Sequence, residues 1–223
     1  MLFPTYITDN FFDDPHKAVK LSSSLDYKKD PLGVWPGKRT EWLQDIDFGF
    51  FEHVTTRIMR LIYPQSIEHL QWSAKTCFQY IDYGQEAREG WVHKDNNAQL
   101  SVVIYLSQHK GCGTSLYKPK HFTRSLDEKV NDIRTDYYIN NKKFDKKFFN
   151  ALKQNNSKFE RTLQIDSRFN RFVAYDAHQW HSADGFFNKD IKGGRLTLVS
   201  FINNIGQPNS QLKFPLPEMK RTI

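Results

Sequence analysis

Two short stretches of the sequence hold side chains of the kinds that bind a catalytic metal ion. In the first stretch, WVHKDNN, His93 and Asp95 are two residues apart, and in a strand such residues point to the same side. The second stretch, YDAHQWHSADG, offers a third ligand, either His181 or His178. Two imidazoles and one carboxylate leave coordination positions open on the metal. A non-haem Fe(II) centre needs this arrangement to bind a co-substrate and O2.

A His-x-Asp triplet alone is a weak signal, because the chain contains eight histidines and a surface His beside a surface Asp is the ordinary case. A third motif strengthens it. Arg195 follows His181 by 14 residues and opens an apolar stretch, with Thr197 on the same strand face. A guanidinium and a hydroxyl can bind one carboxylate together, and the planar fork of arginine suits that task. Without its context, Arg195 would be read as an exposed residue at a strand end.

The order of these motifs resembles that of the Fe(II)/2-oxoglutarate-dependent dioxygenases. It is most similar to the small prolyl-hydroxylase-like branch and its uncharacterised bacterial and phage members. Five pieces within residues 75–203 carry the resemblance: YGQEAREGWVHKD, LSVVIYLS, GCGTSLY, RFVAYDAHQWHSADGFF and GGRLTLVSF. The third piece departs from the family pattern, since Cys112 stands between two glycines where Gly-Gly-Thr is expected. We expect Cys112 to be a small buried residue of this turn.

The resemblance implies a mainly β fold with helical support, namely a double-stranded β-helix of the jelly-roll or cupin-like type. It also implies that the metal ligands are His93, Asp95 and His181. His178 remains the alternative to His181, because neither periodicity nor spacing excludes it.

The resemblance also implies the residues that bind 2-oxoglutarate. Arg195 would pair with the distal carboxylate of this co-substrate, and Thr197 would supply the accompanying hydroxyl. Tyr105 and, more loosely, Tyr83 stand where relatives place tyrosines that contact 2-oxoglutarate. Packing inside the barrel is the alternative interpretation of both tyrosines.

The implied reaction is hydroxylation of an unactivated C–H bond with O2, in which 2-oxoglutarate is converted to succinate and CO2. Related halogenases have a small residue in place of Asp95, so hydroxylation is favoured, while desaturation or ring formation stays open. By analogy with the same branch, we expect a small-molecule substrate such as an amino acid, or a peptidyl residue. Trp35, Arg39 and Trp91 are the candidate substrate contacts.

The intervening sequence predicts the elements that position these residues. Asp14 and Pro15 predict a helix start. Apolar residues at helical spacing predict a second helix over 50–62: Phe51, Val54, Ile58 and Leu61. Beyond residue 66 the period changes to two, and we expect strands at 72–84, 98–107, 171–177 and 195–203.

Residues 118–169 interrupt the β pattern within what we expect to be a single domain, 1–223. Leu126, Val130, Ile133 and Tyr137 predict one helix there, and Phe144, Phe148 and Leu152 predict another. The segment contains 13 basic and 7 acidic residues, and the whole chain has a net charge of +7. We interpret it as a basic helical insertion, which forms either a lid or a binding surface.

Composition excludes several classes of protein. Two cysteines cannot build a disulfide framework and show no zinc spacing. The sequence has neither a secretory signal nor an apolar run of membrane-spanning length. We therefore expect a cytoplasmic protein with no membrane partner. The sequence does not indicate an oligomeric state.

Two other classes of function remain open. A metal-binding cupin that is not an oxygenase would usually add a third His or a Glu near His93, and it would leave Arg195 without a role. Nucleic-acid binding through the basic insertion could use Phe144 and Phe148 for stacking. Their i, i+4 spacing favours a core-facing helix stripe instead. An oxygenase that acts on a nucleobase would combine both ideas.

Overall fold

The protein consists of two antiparallel sheets that face each other, with helices against the outer face of the larger sheet. The structure, a computed structural model, describes residues 3–31, 33–65, 67–81, 89–107, 111–121, 128–185 and 194–206. The strands are β1 (Tyr6–Thr8), β2 (Lys38–Arg39), β3 (Gln71–Ile81), β4 (Leu100–Tyr105), β5 (Thr114–Pro119), β6 (Phe159–Ile165), β7 (Arg171–Asp176), β8 (Trp180–Ala183) and β9 (Arg195–Gly206). The helices are α1 (Pro15–Ser23), α2 (Leu43–Ile46), α3 (Phe48–Ile62), α4 (Glu128–Ile139) and α5 (Lys146–Asn156), with a 3-10 turn at Ile67–His69.

The strand order identifies the fold. The large sheet has the order β1-β7-β4-β9-β3-β2, and the small sheet has the order β6-β5-β8. A bridge between His93 and His181 adds the segment around His93 to the free edge of β8. From β3 onward the chain therefore passes repeatedly between the two sheets, as in a double-stranded β-helix. The predicted jelly-roll fold is confirmed.

The large sheet separates two apolar layers because its side chains alternate between its faces. In β4, Leu100, Val102 and Ile104 face the N-terminal helices and belong to the main core. Val103 and Tyr105 point between the two sheets, where they pack in a smaller cluster. The period of two that predicts a strand at 98–107 reflects this alternation.

The N-terminal helices cover the outer face of the large sheet. Asp14 caps α1, since its carboxylate accepts a hydrogen bond from the backbone N–H of His16, and Pro15 occupies the first turn. Helix α3 buries Val54 and Ile58. The predicted core position of Leu61 is wrong, because its side chain is exposed and the neighbouring turn faces the sheet through Met59 and Ile62 instead.

Helices α4 and α5 lie between β5 and β6 in the chain and pack around Phe148, which is fully buried. Phe144 stacks on Phe148 with ring centroids 4.2 Å apart. The expected helical character of 118–169 needs one correction. Phe159–Ile165 form strand β6, which pairs with β5 and completes the small sheet.

Within the described ranges, no helix combines the length and apolar composition that a membrane crossing needs.

Candidate metal centre and cavity

The two sheets meet at a cluster of two histidines and one aspartate. Nε2 of His93 lies 3.6 Å from Oδ1 of Asp95, and Nε2 of His181 lies 3.4 Å from Oδ2 of Asp95. One ligand atom from each of the three residues lies within 4.8 Å of the others. The paired backbones hold the histidines together, because His93 and His181 exchange two N–H···O bonds of 2.9 Å. Three donors so close together can bind one small cation.

Hydrogen bonds orient both imidazoles toward the common centre. Nδ1 of His93 lies 2.7 Å from the carbonyl of Trp91, and Nδ1 of His181 lies 2.8 Å from the carbonyl of Gln179. A carbonyl only accepts, so each Nδ1 carries the proton and each Nε2 keeps a lone pair. This is the tautomer that a metal ligand needs, and such bonds also fix the orientation of the ring.

The carboxylate of Asp95 is held in its ionised form. Ser101 donates a hydrogen bond of 2.6 Å to its Oδ2. Burial raises the pKa of Asp95, but the neighbouring imidazoles of His181 and His93 and the Ser101 bond together lower it below its usual range. Burial, the neighbouring His181 and the charge of Arg134 lower the pKa of His93 to about 3. At neutral pH the site therefore offers a neutral His93 and a charged Asp95, which are ready to bind a cation.

The structure brings His181, and not His178, beside the other two candidate ligands. The side chain of His178 is 53% exposed, and its Nδ1 lies 3.5 Å from Asp176, away from the cluster. His181 is buried in β8, whereas His178 lies in the turn that joins β7 to β8.

Arg195 lies at the start of β9, on the face that points between the sheets. Its Nε donates a hydrogen bond of 2.9 Å to the carbonyl of Cys112, and the guanidinium lies 5.4 Å from the ring centre of Tyr105. The hydroxyl of Tyr105 is 2.6 Å from that of Thr114. Thr197 faces the same interior, but its hydroxyl lies 3.5 Å from the carbonyl of Gln79. The structure thus brings Arg195, Tyr105 and Thr197 together, whereas Tyr83 lies outside the described residues.

The turn that contains Cys112 holds Arg195 in place. Cys112 is buried, as expected, and it presents its carbonyl to the guanidinium. The next residue must be small, since a Cβ added to Gly113 would lie 1.9 Å from the carbonyl oxygen of Ile165. A glycine therefore lets the turn approach the end of β6 closely enough to place this carbonyl.

Two connected spaces surround the metal ligands. The inner cavity, of about 120 Å³, is lined by His93, Asp95, His181 and Arg195, and by Trp91. The outer cleft, of about 960 Å³, also reaches His93 and Asp95. Both spaces are in addition lined by Val34, Trp35, Arg39, Arg134 and Phe201. All three predicted substrate contacts, Trp35, Arg39 and Trp91, therefore face the inner cavity.

Several residues of the site could not be found from the sequence. Asn156 at the end of α5 donates to the carbonyl of Gly90 (2.9 Å) and accepts from the N–H of Val92 (3.0 Å). Asn155 donates to the carbonyl of Val92. These bonds hold the backbone that leads into His93. They join residues more than 60 positions apart, and no local pattern marks them.

Ser101, Tyr175 and Arg134 were also missed. Ser101 and Tyr175 lie at inward positions of β4 and β7, and Tyr175 packs against His181 with ring centroids 4.7 Å apart. Ser101 shares a strand face with Tyr105 in the period-two stretch 98–107, so this one signal was present. Arg134 projects into both spaces from α4, and only the packing of the insertion reveals it.

A family model, described as a family of unknown function, DUF6445, matches residues 3–202. The chain belongs to DUF6445. No curated protein matches the sequence of this DUF6445 chain at a significant level.

Solved structures share the fold of this DUF6445 chain at low sequence identity. AviO1 from Streptomyces viridochromogenes Tue57 is 11% identical over 93% of this chain and 92% of its own, with a TM-score of 0.54. HygX from Streptomyces hygroscopicus, solved with nickel and 2-oxoglutarate bound, is 12% identical over 91% and 82%, with a TM-score of 0.53. A prolyl hydroxylase from Trichoplax adhaerens, in complex with a hypoxia inducible factor peptide fragment, is 13% identical over 89% and 82%, with a TM-score of 0.52.

Proposed function

We propose that this protein is an Fe(II)/2-oxoglutarate-dependent oxygenase that hydroxylates an unactivated C–H bond and releases succinate and CO2. One observation carries the proposal: a two-histidine, one-carboxylate cluster lines the same cavity as Arg195. The donor set fits a ferrous ion that must keep positions open for further ligands. HygX, which shares the fold, binds nickel and 2-oxoglutarate.

His93, Asp95 and His181 would hold the iron through two Nε2 atoms and one carboxylate oxygen. Arg195 would bind the distal carboxylate of 2-oxoglutarate, because it is a buried cation whose Nε bond to Cys112 fixes its direction. Tyr105 would help to position the guanidinium and the co-substrate. When bound, Fe(II) with 2-oxoglutarate and O2 supplies an oxidant strong enough to cleave a C–H bond.

Thr197 would have a weaker role than the sequence suggested. It is fully buried, and its hydroxyl is directed at the carbonyl of Gln79 in the neighbouring strand. We assign it to the packing around Arg195, with a contact to the co-substrate only if the hydroxyl rotates away from Gln79.

The walls of the cavity would exclude water from the reaction. Val103, Val199 and Tyr175 line it and belong to the apolar cluster between the sheets. Such a site strengthens electrostatic contacts and protects reactive species from side reactions. Because Arg134 and Tyr138 of α4 also line the cavity, the insertion would act as a wall or lid within one domain.

We propose an amino acid or a peptidyl residue as the substrate. The prolyl hydroxylase that shares the fold was solved with a peptide, and the outer cleft is large enough for such a ligand. Trp35 and Trp91 would contact it near the iron. Nucleic acid is not favoured, because Phe148 is fully buried and Phe144 stacks on it, so neither ring is available to a base. The buried free thiols Cys77 and Cys112 suit a cytoplasmic location.

Anaerobic addition of Fe(II) and 2-oxoglutarate tests the proposal. A visible charge-transfer band should appear when the keto acid chelates the ferrous ion. We expect His93→Ala, Asp95→Ala and His181→Ala to abolish it. His178→Ala is the matched control and should keep the band, because His178 is an exposed histidine only three residues from His181. Absence of the band in the wild-type protein, or its loss in His178→Ala and not in His181→Ala, would refute the assignment.

A second measurement separates the co-substrate site from the metal site. We expect Arg195→Gln to weaken 2-oxoglutarate binding far more than Fe(II) binding, because Arg195 does not contact the three ligands. Arg171→Gln is the control, since Arg171 is paired with Asp9 at the surface. Equal losses of Fe(II) and 2-oxoglutarate in Arg195→Gln would argue against a co-substrate role.

A further inference from the structure

Two arginines at the junction of the inner cavity and the outer cleft form no close ion pair with any described residue, although the charge of Asp95 acts on both. Arg39 comes from β2, and Arg134 comes from α4 in the insertion. Among the ion pairs formed within the described part of the chain, none includes either residue. Arginine stays protonated in proteins, so two positive charges face this space.

Both guanidinium groups also keep unused hydrogen-bond donors. Arg134 is 8% exposed and donates one bond, of 2.9 Å, to the carbonyl of Val34. Arg39 donates one bond, of 3.2 Å, to Gln79 and stacks on Trp35 at 3.9 Å. The Nε atoms of both arginines are buried, and no described group forms a hydrogen bond with them. A buried charge with unpaired donors is costly, and such donors are usually met by water, by an ion or by a ligand.

The position of the pair distinguishes it from Arg195. Arg195 lines only the inner cavity, whereas Arg39 and Arg134 line the outer cleft as well. The two arginines therefore lie where a molecule that enters from the cleft passes toward His93 and Asp95. A co-substrate held by Arg195 leaves this second pair of cations available to a different molecule.

The charges of the outer cleft support the same conclusion. Lys75 and Lys94 line it together with the arginines, and besides Asp95 the acidic side chain on its lining is Glu128. Burial lowers the pKa of both Arg39 and Arg134 because it disfavours their charged forms. A bound anion would stabilise these two positive charges. A positive cleft also attracts anions before they bind.

We propose that the substrate carries a carboxylate, which Arg39 and Arg134 bind together while the C–H bond to be oxidised faces the metal ligands. The proposal rests on the oxygenase function above and adds the chemical class of its substrate. A carboxylate matches the site because its two oxygens can accept hydrogen bonds from two guanidinium groups that line the same space. Trp35 and Phe201 provide aromatic surface beside the carboxylate for the rest of the molecule.

The test uses phenylacetate and its neutral analogue phenylacetamide as probes. Binding is measured by tryptophan fluorescence and by thermal shift on the full chain, with and without Fe(II) and 2-oxoglutarate. We expect phenylacetate to bind and phenylacetamide to bind at least tenfold more weakly. Arg39→Gln and Arg134→Gln should each weaken phenylacetate binding at least tenfold, while the Fe(II)–2-oxoglutarate band is retained. The retained band shows that each variant is folded.

Lys75→Gln is the matched control, because it removes one positive charge from the rim of the same cleft and leaves the arginine pair intact. Equal binding of the two probes, an equal loss in Lys75→Gln, or loss of the charge-transfer band in Arg134→Gln would overturn the proposal. Inorganic phosphate is the competing anion. If phosphate binds more tightly than phenylacetate and depends on the same arginines, a carboxylate is the wrong class.

The two hypotheses fail in different ways. If the wild-type protein shows no Fe(II)–2-oxoglutarate band but binds phenylacetate through Arg39 and Arg134, the oxygenase function fails and the carboxylate site stands. If the band appears and phenylacetate does not bind, the oxygenase function stands and the carboxylate site fails.

Discussion

Replacing Ser101 with alanine should weaken metal binding without unfolding the protein. The Ser101 hydroxyl donates a hydrogen bond of 2.6 Å to Oδ2 of Asp95, the carboxylate between the two histidines. A hydrogen bond to a charged group contributes about 1.5–3 kcal/mol, and about 1.4 kcal/mol corresponds to a tenfold change in affinity. We therefore expect Fe(II) to bind on the order of 10- to 100-fold more weakly, which is the usual effect of losing a bond to a metal ligand.

The assay is an anaerobic Fe(II) titration at saturating 2-oxoglutarate, followed through the charge-transfer band. Ser200→Ala is the control, since Ser200 is fully buried and its hydroxyl lies 2.8 Å from that of Thr76, on the opposite face of the large sheet. An Fe(II) affinity in Ser101→Ala within twofold of the wild-type value would refute the reasoning. So would an equal loss in Ser200→Ala, because the effect would then be a general one on the sheet.

Two further predictions concern Arg195 and the acid sensitivity of the fold. We expect Gly113→Ala to weaken 2-oxoglutarate binding more than Fe(II) binding in the same titrations, because the added Cβ would lie 1.9 Å from the carbonyl oxygen of Ile165 and displace the turn that holds Arg195. The hydrogen bonds and charge of Arg171 lower the pKa of Asp9, so its contribution to stability is present above about pH 4 and is lost as the pH falls through the lowered value. Asp9→Asn should thus lower the free energy of unfolding by about 1 kcal/mol or less at pH 7, given the exposure of this carboxylate, and by a smaller amount at pH 3 in urea denaturation.

Each of these two variants has a matched control. Gly206→Ala adds the same methyl group where nothing lies within 4 Å, and it should leave both affinities unchanged. Asp13→Asn removes a carboxylate that is 88% exposed and pairs with Arg57, so we expect a smaller effect than in Asp9→Asn. A larger effect of Asp13→Asn, or a stability difference for Asp9→Asn that grows at pH 3, would contradict the electrostatic argument.

The sequence was informative where local periodicity reflects the fold. The period of two in β4 puts Ser101 and Tyr105 on one strand face, and in the structure that face points between the sheets. Periodicity was less informative at the edges of elements. It included Leu61 in the core stripe of α3, although the exposure of a residue near a helix end depends on what packs beside it. It also missed β6, because five consecutive residues of this edge strand are exposed and give no alternation.

The sequence could not predict contacts that depend on the packing of the insertion. Arg134 reaches the carbonyl of Val34 across 100 residues, and Asn156 reaches Gly90 across 66. No spacing rule connects such positions. For the same reason, the sequence could not decide between His178 and His181 as the metal ligand. Both positions are compatible with the motif, and only the path of the chain from β7 into β8 separates them.

The hydrogen bonds between Asn155 or Asn156 and the segment before His93 join the insertion to the metal ligands. Because α5 and this segment stabilise each other, metal binding and the local stability of α5 must be thermodynamically linked. A bound ion that holds His93 in place therefore also stabilises α5 against local unfolding. Amide protons of α5 should consequently exchange with solvent more slowly once the ion is bound, even though no residue of that helix touches it.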